Sequence, residues 1–120
     1  MQASVIDLAI LADVIGDNPD KLHKFAHKFV ETTRTGLAEL HDCLARGDIA
    51  RIRELGHRIK SSARVVGALG MGDLCEQLEK LPLQDAHAEL AQASALVADM
   101  DRLLPRISSA IASLPSSSPT

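Results

Sequence analysis

Apolar residues recur along this chain at steps of three and four, in runs that Gly, Pro, Asp and Asn interrupt. That period lets a helix bury one face, and no stretch alternates apolar and polar residues as a half-buried strand would. Five helical segments and a tail follow. The first runs from about Ser4 to Val14 and ends at Gly16. Asp17-Asn18-Pro19 then supplies an N-cap and a proline at the first helical position, where its missing N–H is harmless. The second segment is long, with a stripe of Leu22, Phe25, Phe29, Leu37, Leu40 and Leu44, a weak middle at Gly36 and a stop at Gly47. Asp48 caps a third, whose stripe is Ile52, Leu55, Ile59, Ala63 and Val66, closed by Gly67. A fourth, from about Leu69 to Lys80, carries Met71, Leu74, Cys75, Leu78 and Leu81; Gly70 and Gly72 weaken its first turn, and Pro82 prevents continuation. After Asp85 the last segment aligns Leu90, Ala93, Val97, Met100, Leu104, Ile107, Ile111 and Leu114, with Pro105 predicting a kink or break near Arg102.

Four amphipathic helices joined by short loops form an antiparallel up-down-up-down four-helix bundle most economically, with the short first helix capping one end. The predicted class is all-α, with one domain over residues 1–114 and a disordered or linking tail over residues 115–120. A chain of 120 residues leaves no room for separate cofactor and substrate lobes. The only aromatics are two Phe, so Leu, Ile, Val and Ala must fill the core, which suits helices.

Net charge of −3 offers no general attraction to a polyanion, and there is no aromatic platform for single strands, so nucleic acid is not an expected partner. Charges interrupt every apolar stretch and no basic region precedes an apolar run at the N-terminus. Neither a membrane span nor a signal peptide is expected, and the expected location is cytoplasmic. Cys43 and Cys75 read as free core thiols. His23 and His27 are spaced i, i+4, but no third ligand completes a site, so no metal is expected there. His41 and His87 carry no signal.

His57 is placed differently. At about 100° per residue, Arg53, Lys60, Ser61 and Arg64 fall within roughly 60° of it, opposite the core stripe. It is expected to stand on the solvent face in mid-helix among cations, with Gly56 and Ser61 adding little bulk around it. A neutral imidazole in that setting is a nucleophile, favoured by neighbouring cations, and Lys60 one turn on could neutralise a phosphoryl group. The wheel alone points first to a solvated histidine on a basic helix face.

The stretch from His57 through Lys60, Ser61, Ser62, Gly67 and Ala68, continuing into Met71, Leu74, Cys75, Leu78 and Glu79, resembles the signature of histidine-containing phosphotransfer (HPt) domains. Those carry a histidine, a lysine three later, small residues next, and a Gly-Ala pair ten later. Gly16-Asp17 and Gly47-Asp48 also fit the family's layout, and the resemblance extends over about residues 5–112. It implies that His57 is the phosphoacceptor, Lys60 the assisting cation, and Gly67 the glycine that lets the third and fourth helices pack closely. Ser61 departs from the family's usual glycine; its hydroxyl would either donate to phosphoryl oxygens or hinder docking. Glu79 occupies a position where some members carry a polar residue reaching toward the histidine helix.

The resemblance further implies a phosphorelay intermediate, with His57 taking a phosphoryl group from a receiver-domain aspartate and passing it to another. The implied partners are response-regulator receivers and a hybrid histidine kinase. The chain is expected to be a monomer without kinase activity or cofactor of its own, with Mg²⁺ supplied by the receiver. Arg53, Ser61, Arg64, Ala68 and Leu69 are the expected docking rim. The alternative is a non-catalytic helical module that regulates a signalling partner by binding alone.

Overall fold

The computed structural model describes residues 5–113. Ser4, Leu114 and the tail expected to be disordered lie outside the described residues. Five helices follow in order: α1 Leu8–Ile15, α2 Pro19–Arg46, α3 Ile49–Val65, α4 Leu69–Glu79 and α5 Ala86–Ala112. Side-chain caps set four of the starts. Asp7 accepts from Ala9 N, Asn18 from Asp20 N and Lys21 N, Asp48 from Arg51 N, and Asp85 from His87 N and Ala88 N. The first helix therefore begins after Asp7, later than the apolar run alone suggested.

Helices α2, α3, α4 and α5 close a ring of contacts in which α2 touches α3 and α5, and α4 touches the same two. Short connections make successive helices antiparallel. The shorter α1 rests on α2 and α3. Leu11, Leu40, Ile52, Met71, Leu78, Met100 and Ile107 form the fully buried centre, with both cysteines buried and unoxidised among them. An exposed His41–Asp101 pair, 2.7 Å apart, links α2 to α5.

Two expectations about the stripes change. Phe25 is 49% exposed, and Ala26 takes the inward position instead, continuing through Phe29, Val30, Thr33, Leu37, Leu40 and Cys43. Phe25 lies about 40° round the helix from Phe29, enough to carry it over the edge of the buried face. Helix α5 does not break near Arg102, because it runs on through Pro105. Proline removes one N–H bond, to the carbonyl four residues back, and Pro105 is exposed, so water can satisfy that carbonyl. On the inner side, Met100, Leu104, Ile107 and Ile111 stay buried in one line.

The glycines divide the labour differently from the expectation for Gly67. Its φ is +80°, and a Cβ there would lie 2.0 Å from the Asp7 carbonyl oxygen. Asp7 N in turn donates to the Gly67 carbonyl at 2.9 Å, so this turn seats the segment leading into α1. Close approach of α3 to α4 occurs at Gly56, where a Cβ would lie 2.9 Å from both the Cys75 carbonyl oxygen and Leu78 Cβ. Gly56 therefore does not open space for a visitor beside His57; it lets α4 press against α3.

Candidate functional site

Arg53, His57 and Lys60 are spaced i, i+4 and i+7, which aligns them on one stripe of α3. All three reach the same residue of α4. Arg53 Nε donates to the main-chain carbonyl of Glu79 at 3.0 Å. The two carboxylate oxygens are divided: Oε1 lies 2.5 Å from His57 Nδ1, and Oε2 accepts from Lys60 Nζ. Gly56 permits this arrangement, since its missing Cβ would also stand 3.2 Å from Glu79 N.

Exposure differs sharply within the group. The His57 side chain is 60% exposed, whereas those of Lys60 and Glu79 are 15% and 27% exposed. The imidazole thus stands in solvent on a partly buried ion pair. Hydrogen bonding from Lys60, and then from His57, holds the Glu79 carboxyl below the ordinary carboxylate range. Alongside, Arg64 Nη2 donates to Glu76 Oε1 at 3.2 Å, and Lys80 Nζ lies 3.8 Å from the same oxygen. The Arg64 hydrogen bond, with Lys80 adding its charge, lowers the Glu76 carboxyl in the same way. Behind the site, burial pushes the Cys75 thiol up to about 12, so it stays protonated and inert at neutral pH.

An ionised carboxylate can only accept, so the proton in the Glu79–His57 bond belongs to Nδ1. In the neutral ring the lone pair then resides on Nε2, the nitrogen away from Glu79. The arrangement presents one nucleophilic nitrogen with the tautomer fixed from behind. The charged group touching the ring is thus an anion, where the wheel suggested cations alone.

The expected docking residues separate. Ser61 is exposed, its hydroxyl donating to the His57 carbonyl at 3.2 Å, and Arg64 and Leu69 are exposed nearby in sequence. Ala68 is fully buried, because it closes the α3–α4 turn with its N–H on the Ala63 carbonyl at 2.8 Å; it cannot form part of a rim. Arg53 is half-buried and engaged with Glu79. Val65, Glu76 and Lys80 were not singled out from the sequence. Val65 is exposed at the end of α3, and the two charged residues flank Glu79 on α4, which no wheel of α3 alone can reveal. Among the described residues, no three His, Cys, Asp or Glu side chains come together as a metal site. No helix among them is long and apolar enough to cross a membrane.

The family model of the Hpt domain matches residues 24–111. Multistep phosphorelay regulator 1 of Schizosaccharomyces pombe is 28% identical over 79 residues, which cover 62% of this chain and 27% of that protein. The chain therefore spans about a quarter of the length of that curated relative. The crystal structure of histidine-containing phosphotransfer protein B from Pseudomonas aeruginosa PAO1 matches with a TM-score of 0.78 and 25% identity, covering 92% of this chain and 94% of that one.

Proposed function

The chain belongs to the Hpt domain family, and from that premise we propose that it is a phosphorelay intermediate whose phosphoacceptor is Nε2 of His57. The observation that carries this reading is an exposed imidazole on a rigid helix with Nδ1 tied to an ionised carboxylate. In the forward step the Nε2 lone pair attacks the phosphorus of a receiver's aspartyl phosphate. The N–P bond forms as the P–O bond to the aspartate breaks, and the receiver's carboxylate leaves as an anion. The Nδ1 proton stays in its bond to Glu79, so the phosphorylated ring is cationic and lies against an anion. In the reverse step a second receiver's aspartate attacks, and the ring departs neutral with the same proton in place. No proton needs to move in either direction.

Lys60 stands beside this ring, held by Glu79. Its ammonium offsets part of the charge that the phosphoryl group brings. The Mg²⁺ of the reaction is the receiver's, and the receiver supplies the stabilisation of the transferring group. Docking falls on the exposed surface around His57, where Ser61 and Arg64 are polar and Val65 and Leu69 apolar. A small, fast-exchanging interface suits a carrier that must meet two partners in turn. The partners are receiver domains, one charged by a hybrid kinase, in the cytoplasmic compartment where such receivers work.

The test is transfer from a receiver domain charged with acetyl phosphate. The protein is expected to take up an acid-labile, alkali-stable label, and His57→Gln to take up none. A His57→Gln variant that labels like the wild type overturns the assignment. A folded wild type that stays unlabelled while binding the receiver favours a module acting by binding alone.

A further inference from the structure

We infer that Arg53 is a positioning residue for the phosphoacceptor, acting through Glu79 rather than by touching a partner. The inference rests on the proposed role of His57 and extends it to a residue two helical contacts from the reacting atom.

The last four carbonyls of a helix lack partners within the helix. At the end of α4 the Glu76 carbonyl accepts from Lys80 N at 3.0 Å and the Leu78 carbonyl from Leu81 N at 3.2 Å. The Glu79 carbonyl instead takes Arg53 Nε from the neighbouring helix at 3.0 Å. A guanidinium at the negative end of a helix dipole is favourable, and its bond to the carbonyl is charge-assisted. Glu79 is also where the helix stops, with Lys80 as its C-cap and non-helical chain from Leu81 onward. A residue at a fraying end holds its side chain poorly unless its backbone is fixed. Arg53 fixes that backbone to α3, one turn before His57 on the same stripe.

Without this bond the Glu79 carboxylate would still be drawn to Lys60, whose longer side chain can follow a displaced partner. The His57 ring has only two torsions and cannot follow. Loss of Arg53 should therefore weaken the Nδ1 bond more than the Lys60 bond, and release the ring to its intrinsically favoured Nε2–H tautomer. In that tautomer the lone pair is on the wrong nitrogen. A partner-contacting arginine would have no such effect on the isolated protein.

The experiment reads the His57 tautomer by long-range ¹H–¹⁵N NMR in the free protein, for wild type, Arg53→Met, Arg53→Lys and Glu79→Ala. The same variants are then assayed for transfer against increasing concentrations of a charged receiver. Wild type is expected to be mainly Nδ1–H. Arg53→Met should move toward Nε2–H, and its maximal transfer rate should fall on the order of tenfold, the size of effect seen when a histidine loses its orienting partner. The half-saturating receiver concentration should stay unchanged. Arg53→Lys, which keeps a cationic donor of shorter reach, should lie between them, and it carries the test if Arg53→Met does not fold. A wild-type tautomer in the Arg53 variants, or a lost tautomer with a wild-type maximal rate, overturns the inference. If Glu79→Ala, which removes the acceptor, itself keeps the wild-type Nδ1–H population, the reading of the His57–Glu79 pair has failed instead.

Discussion

Lys60 and His57 both donate to Glu79, and these bonds hold its carboxyl below the ordinary carboxylate value. The same shift has a stability consequence whose sign is fixed. Because the folded carboxyl binds its proton at lower pH than the unfolded one, the stabilisation is fully present above the ordinary value of 4.5 and is lost as pH falls through the folded value. Melting curves from about pH 6 to about pH 3 should therefore show wild type losing stability more steeply than Glu79→Gln. Glu76, lowered in the same direction by Arg64 and Lys80, is present in both proteins, so the difference isolates Glu79. Equal slopes would mean the pair is not formed in solution. At this scale the sequence was informative about His57 and Lys60, which share one helix and one wheel. The wheel was silent about Glu79, which only the family resemblance marked as reaching toward the histidine helix, because the pairing depends on how closely a second helix approaches. Arg53 was visible as a neighbour of His57, yet its engagement with a backbone carbonyl could not be read from a side-chain pattern.

The helices themselves were legible wherever a cap residue and an apolar stripe agreed, as at Asn18, Asp48 and Asp85. The stripe of α3 from Ile52 to Val66 is buried throughout. Where a single local signal stood alone, packing overrode it. Pro105 signalled a kink or a break, and of the two the break does not occur, because burial of Met100, Leu104, Ile107 and Ile111 keeps α5 one helix. Phe25 looked like a core residue by type, but its angular position takes it out. Gly56 shows the same limit at the helix–helix contact, since a glycine mid-helix looks only unfavourable until the neighbouring backbone is seen. Gly56→Ala should gain roughly 1 kcal/mol of helix propensity and lose about 2–3 kcal/mol to overpacking against the Cys75 carbonyl and Leu78. The net loss of roughly 1–2 kcal/mol corresponds to a fall in Tm of roughly 4–10 °C by calorimetry. As α4 moves out it carries Glu79 with it, so phosphotransfer should slow as well. A variant more stable than wild type would show that α3 and α4 are not in close contact here.

Taken whole, the molecule is an elongated bundle, 53 × 28 × 23 Å, whose most crowded helix pair, α3 and α4, carries His57, the proposed phosphoacceptor, on its outside. The division of work follows from that shape. A bundle of this size can hold one imidazole in a fixed tautomer on an open surface, and an open surface is what two successive partners need. Under the proposed function the metal chemistry falls to the receiver, and this chain contributes an imidazole held by Glu79, which Lys60 and Arg53 hold in turn. The most direct test is ¹H–¹⁵N–³¹P NMR of the protein after phosphorylation by a charged receiver. A single phosphohistidine at His57 is expected, with phosphorus on Nε2 and the proton retained on Nδ1. Phosphorus on Nδ1, or on any residue other than His57, would contradict it.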